Sequence, residues 1–165
     1  MDAAPWTLRA VTAADAPAIA TTRYLDHPEA HEAIAHYARW LAPKIERDEY
    51  FGQLAVVDGA LVAGAGCVLL DWGPRLDFGP VHTLVRINNV FTVEAWRRKG
   101  LARLLTQRVL NECRARGLVD VTLAGTDLGQ PPYRCLGFDF KRNEMALRLS
   151  DAYAPAAPRT NSGSS

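Results

Sequence analysis

Apolar and polar positions change period several times along the chain, and each change marks an element. Trp6 to Val11 alternates and predicts a first strand. Thr12, with Asp15 three residues on, makes a capping-box-like start to a helix reaching about Leu25, where His27-Pro28 breaks the run. A second helix is predicted from about Glu29 to Ile45, with Ile34, Tyr37, Ala38 and Leu41 on one face; Pro43 is expected to end or bend it. Tyr50 to Val57 and Leu61 to Leu70 read as strands joined by the tight-turn pair Asp58-Gly59. Asp71 to Pro80, with two prolines and two glycines, is a loop. Val85, Ile87, Val90, Phe91 and Val93 predict the next strand. Leu101, Leu104, Leu105 and Val109, spaced by three and four, predict a helix to about Arg116, which Gly117 terminates. Val119 to Ala124 is a further strand, Gly125 to Pro132 a loop, Tyr133 to Leu136 a short helical turn stopped by Gly137, and Phe138 to Leu149 a final strand or bent hairpin.

The order β-α-α-β-β-β-α-β-α-β is that of one mixed α/β domain over residues 1–149. Three successive strands in its middle do not suit a purely parallel, doubly wound sheet. Residues 150–165, rich in Ala, Pro, Ser and Gly, are expected to be a disordered tail. Hydrophobic residues are 48% and charged residues 22% of 165, a globular composition. With 19 Lys and Arg against 18 Asp and Glu, the net charge of +1 gives no bulk field for nucleic acid or a membrane surface. No apolar run approaches the ~20 residues of a membrane span. MDAAPWTLRA lacks the apolar core of a secretory signal, so a cytoplasmic protein is expected. Cys67, Cys113 and Cys135, an odd number without paired spacing, are expected to be reduced core residues.

Two apparent motifs dissolve on inspection. Gly59, Gly64 and Gly66 are followed by more strand, not by the helix a dinucleotide fingerprint needs, so they mark close backbone packing instead. His31-Glu32 with His36 resembles a zinc motif, but a five-residue step turns about 140° around a helix, which keeps the imidazoles off one metal. Arg97-Arg98-Lys99 is different because of its place, between a strand and the helix opening at Gly100-Leu101-Ala102. The first N–H groups of a helix have no intrahelical partners, and the helix dipole adds positive charge there. A phosphate site is expected at Gly100.

Arg97 to Ala102 fits R-x-x-G-x-[G/A], and downstream stands Tyr133-Arg134-Cys135-Leu136-Gly137-Phe138. With Asn89-Val90-Phe91-Thr92 before the basic loop, Gly129-Gln130-Pro131-Pro132 before Tyr133, and Asn143-Glu144-Met145 near the end, the chain resembles the GNAT superfamily of acyl-CoA-dependent N-acetyltransferases. The resemblance covers the layout of the ordered chain and is close at residue level from Asn89 to Met145. It implies the GNAT fold: a central mixed, mostly antiparallel twisted sheet of six to seven strands flanked by about four helices. It further implies acetyl-CoA as donor. The backbone of Val90, Phe91 and Thr92 would hold the pantetheine arm, and Arg97, Arg98, Lys99, Gly100, Leu101 and Ala102 the pyrophosphate. Thr126 and Asp127 lie near where the family often has an Asn that contacts CoA, and Tyr133 would protonate the leaving thiolate. A phenol with a free pKa of about 10 is a competent acid toward a thiolate whose conjugate acid lies near 8.5. A homodimer is also implied by resemblance.

The chain departs from the family pattern at position 102, which is Ala instead of Gly, and on the strand before the loop. Asn88 and Asn89 stand where many relatives carry a glutamate base, and no Asp or Glu lies between Val81 and Val93. Glu32, Asp71 and Asp77 are alternative bases. A water held by the asparagines, or an acceptor amine of low pKa, would need none. For the acceptor, a primary amine on a small molecule or peptide, the segments Thr21 to Asp48 and Asp71 to Pro80 are expected to contribute, with Asn89, Asp71 and Trp72 as named candidates. Two other functions compete with acetyl transfer. One is a catalytically silent CoA-binding sensor; the other is a nucleotide or nucleic-acid binder, which lacks both a Walker pattern and an aromatic-basic stripe.

Overall fold

The computed structural model describes residues 5–74, 76, 82–125 and 130–140. Five strands, β1 (Thr7–Ala10), β2 (Tyr50–Val57), β3 (Ala60–Asp71), β4 (Thr83–Thr92) and β5 (Asp120–Thr122), form one sheet in the order β1-β2-β3-β4-β5. The first three pairings are antiparallel and β4–β5 is parallel. The helices are α1 (Ala16–Arg23), α2 (His31–Glu46), α3 (Leu101–Ala115) and α4 (Gln130–Arg134). This is a mixed, mostly antiparallel α/β architecture with helices on both faces of the sheet. The described residues give five strands where six to seven were expected; the segment expected to supply a last strand or hairpin lies mostly outside them, and Phe138–Phe140 are not strand.

Local chemistry explains most boundaries. The Asp15 carboxylate accepts hydrogen bonds from the Thr12 N–H (2.8 Å) and hydroxyl (2.9 Å), so the expected cap forms, but it closes a single 3-10 turn, Ala13–Asp15, before α1. Pro43 neither ends nor breaks α2. Its missing N–H removes only the bond to the carbonyl four residues back, and the Arg47 N–H still reaches the Pro43 carbonyl at 3.1 Å. The β2–β3 turn has φ 48° at Asp58 and 79° at Gly59, the left-handed pair that matches strand twist in a two-residue hairpin. At the end of α3 the Leu118 N–H bonds the Cys113 carbonyl and the Gly117 N–H the Arg114 carbonyl, around Gly117 at φ 71°.

The sheet buries a core on each face. Leu101, Leu105, Val109 and Cys113 of α3 pack on Ala63, Ala65, Cys67, Val85 and Ile87. On the other face Ile19 of α1 and Leu41 of α2 pack with Tyr50, Leu54 and Val68. Two of the three cysteines are core residues as expected, but Cys135, just past α4, is exposed. Among the described residues no helix is long and apolar enough to cross a membrane.

Candidate active site

The site begins as an irregularity in β4. Gly64 pairs with Phe91 and Gly66 with Asn88, so Asn89 and Val90 together face the single β3 residue Ala65, a β-bulge. Asn89 takes φ 51°, a left-handed conformation that Asn tolerates better than most residues. Its side chain is fixed from three elements. Nδ2 donates to the Tyr50 hydroxyl at 3.1 Å and to the Tyr37 hydroxyl at 2.9 Å, and the Asn89 N–H donates to Asn88 Oδ1 at 2.8 Å. Arg23, the last residue of α1, donates to Asn88 Oδ1 at 2.9 Å and lays its guanidinium 4.6 Å from the Tyr37 ring centre. Tyr50 is 1% exposed, and burial pushes its phenol well above the usual value, so it remains a neutral member of this network. A Cβ at Gly66 would overlap the Tyr50 hydroxyl, and one at Gly64 the Phe91 ring. Of the three glycines expected to mark close packing, Gly64 and Gly66 do so; Gly59 has open space around a Cβ and is required instead by the left-handed turn.

The bulge has a consequence for β5. The parallel ladder runs Leu84–Asp120, Val85–Val121, Arg86–Thr122 and goes no further. Beyond it β4 and the Leu123–Ala124 segment separate around a cavity of about 470 Å³, whose lining includes Arg23, Arg86, Asn88, Phe91, Ala124 and Tyr133. Tyr133 enters from α4, which is closed by the Phe138 N–H to the Tyr133 carbonyl (3.1 Å), with Phe138 edge-on to the Tyr133 ring at 6.1 Å. Its hydroxyl has no hydrogen-bond partner among the described residues, and burial raises its pKa. The phenol is therefore protonated at neutral pH.

At the far end of β4, Arg98 (φ 62°) and Gly100 (φ 79°) turn the chain into α3. Gly100 is the N-cap residue, offers no side-chain acceptor, and leaves the first helical bond to Leu104 N–H. The N–H groups of Leu101, Ala102 and Arg103 thus lack intrahelical partners at the positive end of a 15-residue helix. Two cations of the loop are held locally. Arg97 Nε donates to the Thr92 carbonyl at 3.2 Å, and the Lys99 ammonium sits 4.2 Å from the Trp96 ring centre.

Of the residues singled out in the sequence, Asn89, Val90, Phe91 and Tyr133 meet around one cavity. Arg97 to Ala102 form the loop and helix start, and Thr92 closes β4. Thr126, Asp127 and Asp77 lie outside the described residues. Asp71 and Trp72 are not brought to the cavity. Asp71 pairs with Thr83, five residues and thus ~16 Å along the strand from Asn88. Glu32 borders a separate surface groove with His31 and His36. Arg23 and Arg86, which line the cavity, were not singled out. The signal for Arg86 was its alternation with Leu84 and Asn88 on one face of an otherwise apolar strand.

No curated protein matches the chain. Among solved structures, a predicted acetyltransferase with acetyl-CoA from Clostridium acetobutylicum is 19% identical, with 87% of this chain and 96% of that one covered and a TM-score of 0.78. A GCN5-related N-acetyltransferase from Ralstonia eutropha is 24% identical over 87% of this chain and 98% of that one, TM-score 0.74. Glucosamine-6-phosphate N-acetyltransferase from Arabidopsis thaliana is 15% identical over 88% and 99%, TM-score 0.65. These likenesses concern the fold. The sequence model of the Acetyltransferase (GNAT) family matches residues 16–138, a span that takes in α1, the bulged strand, the glycine loop and Tyr133. The chain belongs to the GNAT acetyltransferase family.

Proposed function

We propose that the protein transfers the acetyl group of acetyl-CoA to a primary amine by direct attack in a ternary complex. The observation that carries this reading is the placement of the bulged β4 strand and a protonated tyrosine on one cavity. The donor fits the chain's own groups. Unpartnered N–H groups at the start of α3 suit a pyrophosphate. The β4 backbone past the end of the parallel ladder suits the amides of a pantetheine arm, which would add to the sheet as a strand does. Acetyl-CoA supplies an activated acyl group as a thioester; the protein orients it and manages the protons. A backbone N–H near Phe91 would polarise the carbonyl. Tyr133, kept protonated by burial, gives its proton to the departing thiolate. No carboxylate lines the cavity among the described residues, so the acceptor's proton passes to water, for which Asn88 and Thr22 offer hydrogen bonds.

Tyr133→Phe is expected to lower turnover at least tenfold, with acetyl-CoA affinity changed less than about twofold by calorimetry. Intersecting initial-rate lines with both substrates varied are expected for a ternary complex. Unchanged turnover would remove Tyr133 from the mechanism, and parallel lines would remove direct attack. The lack of a lining carboxylate favours a second reading, a CoA-binding sensor without catalysis. Amine-dependent release of free CoA thiol excludes it.

A further inference from the structure

Among the described residues, the charged groups that line the cavity are all of one sign. Arg23 and Arg86 line it, and no Asp or Glu does among the described residues. Several cations elsewhere are neutralised by carboxylates, Arg9 by Asp15 at 2.7 Å, Arg47 by Glu49 at 2.7 Å, and Arg116 by Asp48 at 2.6 Å and Glu112 at 2.8 Å, whereas Arg97 and Lys99 of the glycine loop rest on neutral groups. Among the described residues, the two cavity arginines have only neutral partners. Arg23 Nη1 reaches Asn88 Oδ1 at 2.9 Å and, more weakly, Asn89 Oδ1 at 3.4 Å, while the guanidinium face lies on Tyr37. Arg86 Nη1 has a single long contact, 3.4 Å to Thr122 Oγ1. Arg86 also borders an adjoining cavity of about 360 Å³ with Asp139, but the Asp139 carboxylate turns back to the Phe140 N–H at 2.8 Å.

Each guanidinium carries five N–H donors, so both keep most of theirs unspent. The amide and ring contacts of Arg23 fix its position without neutralising it. Two cations at one concave wall focus positive potential into the cavity and suit a planar or tetrahedral oxyanion, which arginine meets with paired N–H bonds. They also oppose a second cation. We infer that the acceptor is an amine that carries an anionic group, a carboxylate or a phosphate, and that Arg23 and Arg86 bind that group. The inference rests on the acetyl-transfer reading and narrows it. It separates the small anionic amines, amino acids and amino-sugar phosphates, from polycationic acceptors such as aminoglycosides.

The experiment compares acceptors matched except for the anionic group: phenylalanine with phenethylamine for a carboxylate, and glucosamine 6-phosphate with glucosamine for a phosphate, with kanamycin as a polycation. Turnover is read as CoA thiol release. Binding of each compound to the CoA-loaded protein is read separately by calorimetry, which needs no turnover. For at least one pair the anionic member is expected to have the higher kcat/KM, by tenfold or more, and to bind more tightly. The pair that responds tells carboxylate from phosphate. Arg23→Gln and Arg86→Gln are each expected to reduce that selectivity ratio by roughly 10- to 100-fold, chiefly through KM, as loss of hydrogen bonds to a charged group does. Arg23→Lys, which keeps the charge but not the fork, should fall between, with melting temperatures confirming that the variants fold. Preference for phenethylamine, glucosamine or kanamycin overturns the inference, as does a ratio unchanged in both glutamine variants. Tighter binding of an anionic member without any acetylation supports the anion site while refuting acetyl transfer, so the two readings fail separately.

Discussion

Gly66→Ala introduces a methyl group where the Tyr50 side chain already lies. The new Cβ would overlap the Tyr50 hydroxyl and the ring carbon that bears it. Tyr50 is 1% exposed and packed between β2 and the α1–α2 face, so the ring has no solvent to swing into. Forcing one methyl into a filled core costs about 1–3 kcal/mol. Relief by shifting the ring takes the hydroxyl from Asn89 Nδ2, now 3.1 Å away, and forfeits a hydrogen bond worth about 1 kcal/mol. The expected loss is therefore about 2–4 kcal/mol. At about 2–4 °C per kcal/mol for a domain of this size, the melting temperature should fall by roughly 5–15 °C. Urea denaturation followed by circular dichroism, with an unchanged m-value, measures it. Tyr50→Phe alone should cost about 1 kcal/mol. Because both substitutions act on the same hydroxyl, the double variant should be less destabilised than the sum by about 1 kcal/mol. A Gly66→Ala protein within about 0.5 kcal/mol of the parent, or an additive cycle, would refute the claim that Tyr50 holds the bulge.

Gly100 and Gly117 both have left-handed backbones with open space around a Cβ, so alanine at either should cost a similar ~1 kcal/mol of conformational strain. Only Gly100→Ala should also weaken acetyl-CoA binding, at least fivefold by calorimetry; equal affinities in the two variants would detach the loop from the pyrophosphate. Asp15 gives a pH signature. The Arg9 guanidinium first, then the Thr12 N–H and hydroxyl, hold its carboxyl at about 2, below the ordinary 3.8. The stabilisation is complete above the ordinary value and lost as pH falls through the lowered one. Asp15→Ala should thus cost about 1 kcal/mol at pH 7, and the gap between the two proteins should close between about pH 4 and pH 2. A gap that stays constant on acidification would show that the carboxylate charge contributes nothing.

What the sequence made legible was local. Asp58-Gly59 announces its hairpin because the turn conformation belongs to those two residues, and the α3 spacing is a property of one helix. The left-handed turn and helix start at Gly100 follow from a strand, a glycine and a helix in succession. The bulge was not legible, because Asn89 takes its conformation from Tyr37 on α2, Tyr50 on β2 and the close approach at Gly66, three places far apart in the chain. The same holds for Arg23 and Arg86. Nothing in either segment states that the end of α1 lies against β4. Tyr133 stood out through its resemblance to a family motif, since a half-buried tyrosine on a five-residue helix has no periodic signature of its own. Pro43 does not end α2, which runs on to Glu46: one lost bond to the carbonyl four residues back does not stop a helix whose next N–H groups still find partners, as Arg47 does at the Pro43 carbonyl.

The strand order β1-β2-β3-β4-β5 repeats the order of synthesis, which bears on how the molecule comes to exist. Each strand after β1, as it leaves the ribosome, finds one neighbour already made, and among the described residues none has to insert between two strands paired earlier. The β2–β3–β4 meander can assemble from contacts close in sequence, a topology that favours rapid folding. The cleft walls have a different schedule. Leu123, Ala124 and Tyr133 follow every one of the five strands, so a nascent chain owns a sheet before it owns a cavity. On the proposed function, donor affinity would therefore arrive late, and its appearance would serve as a clock for the end of folding.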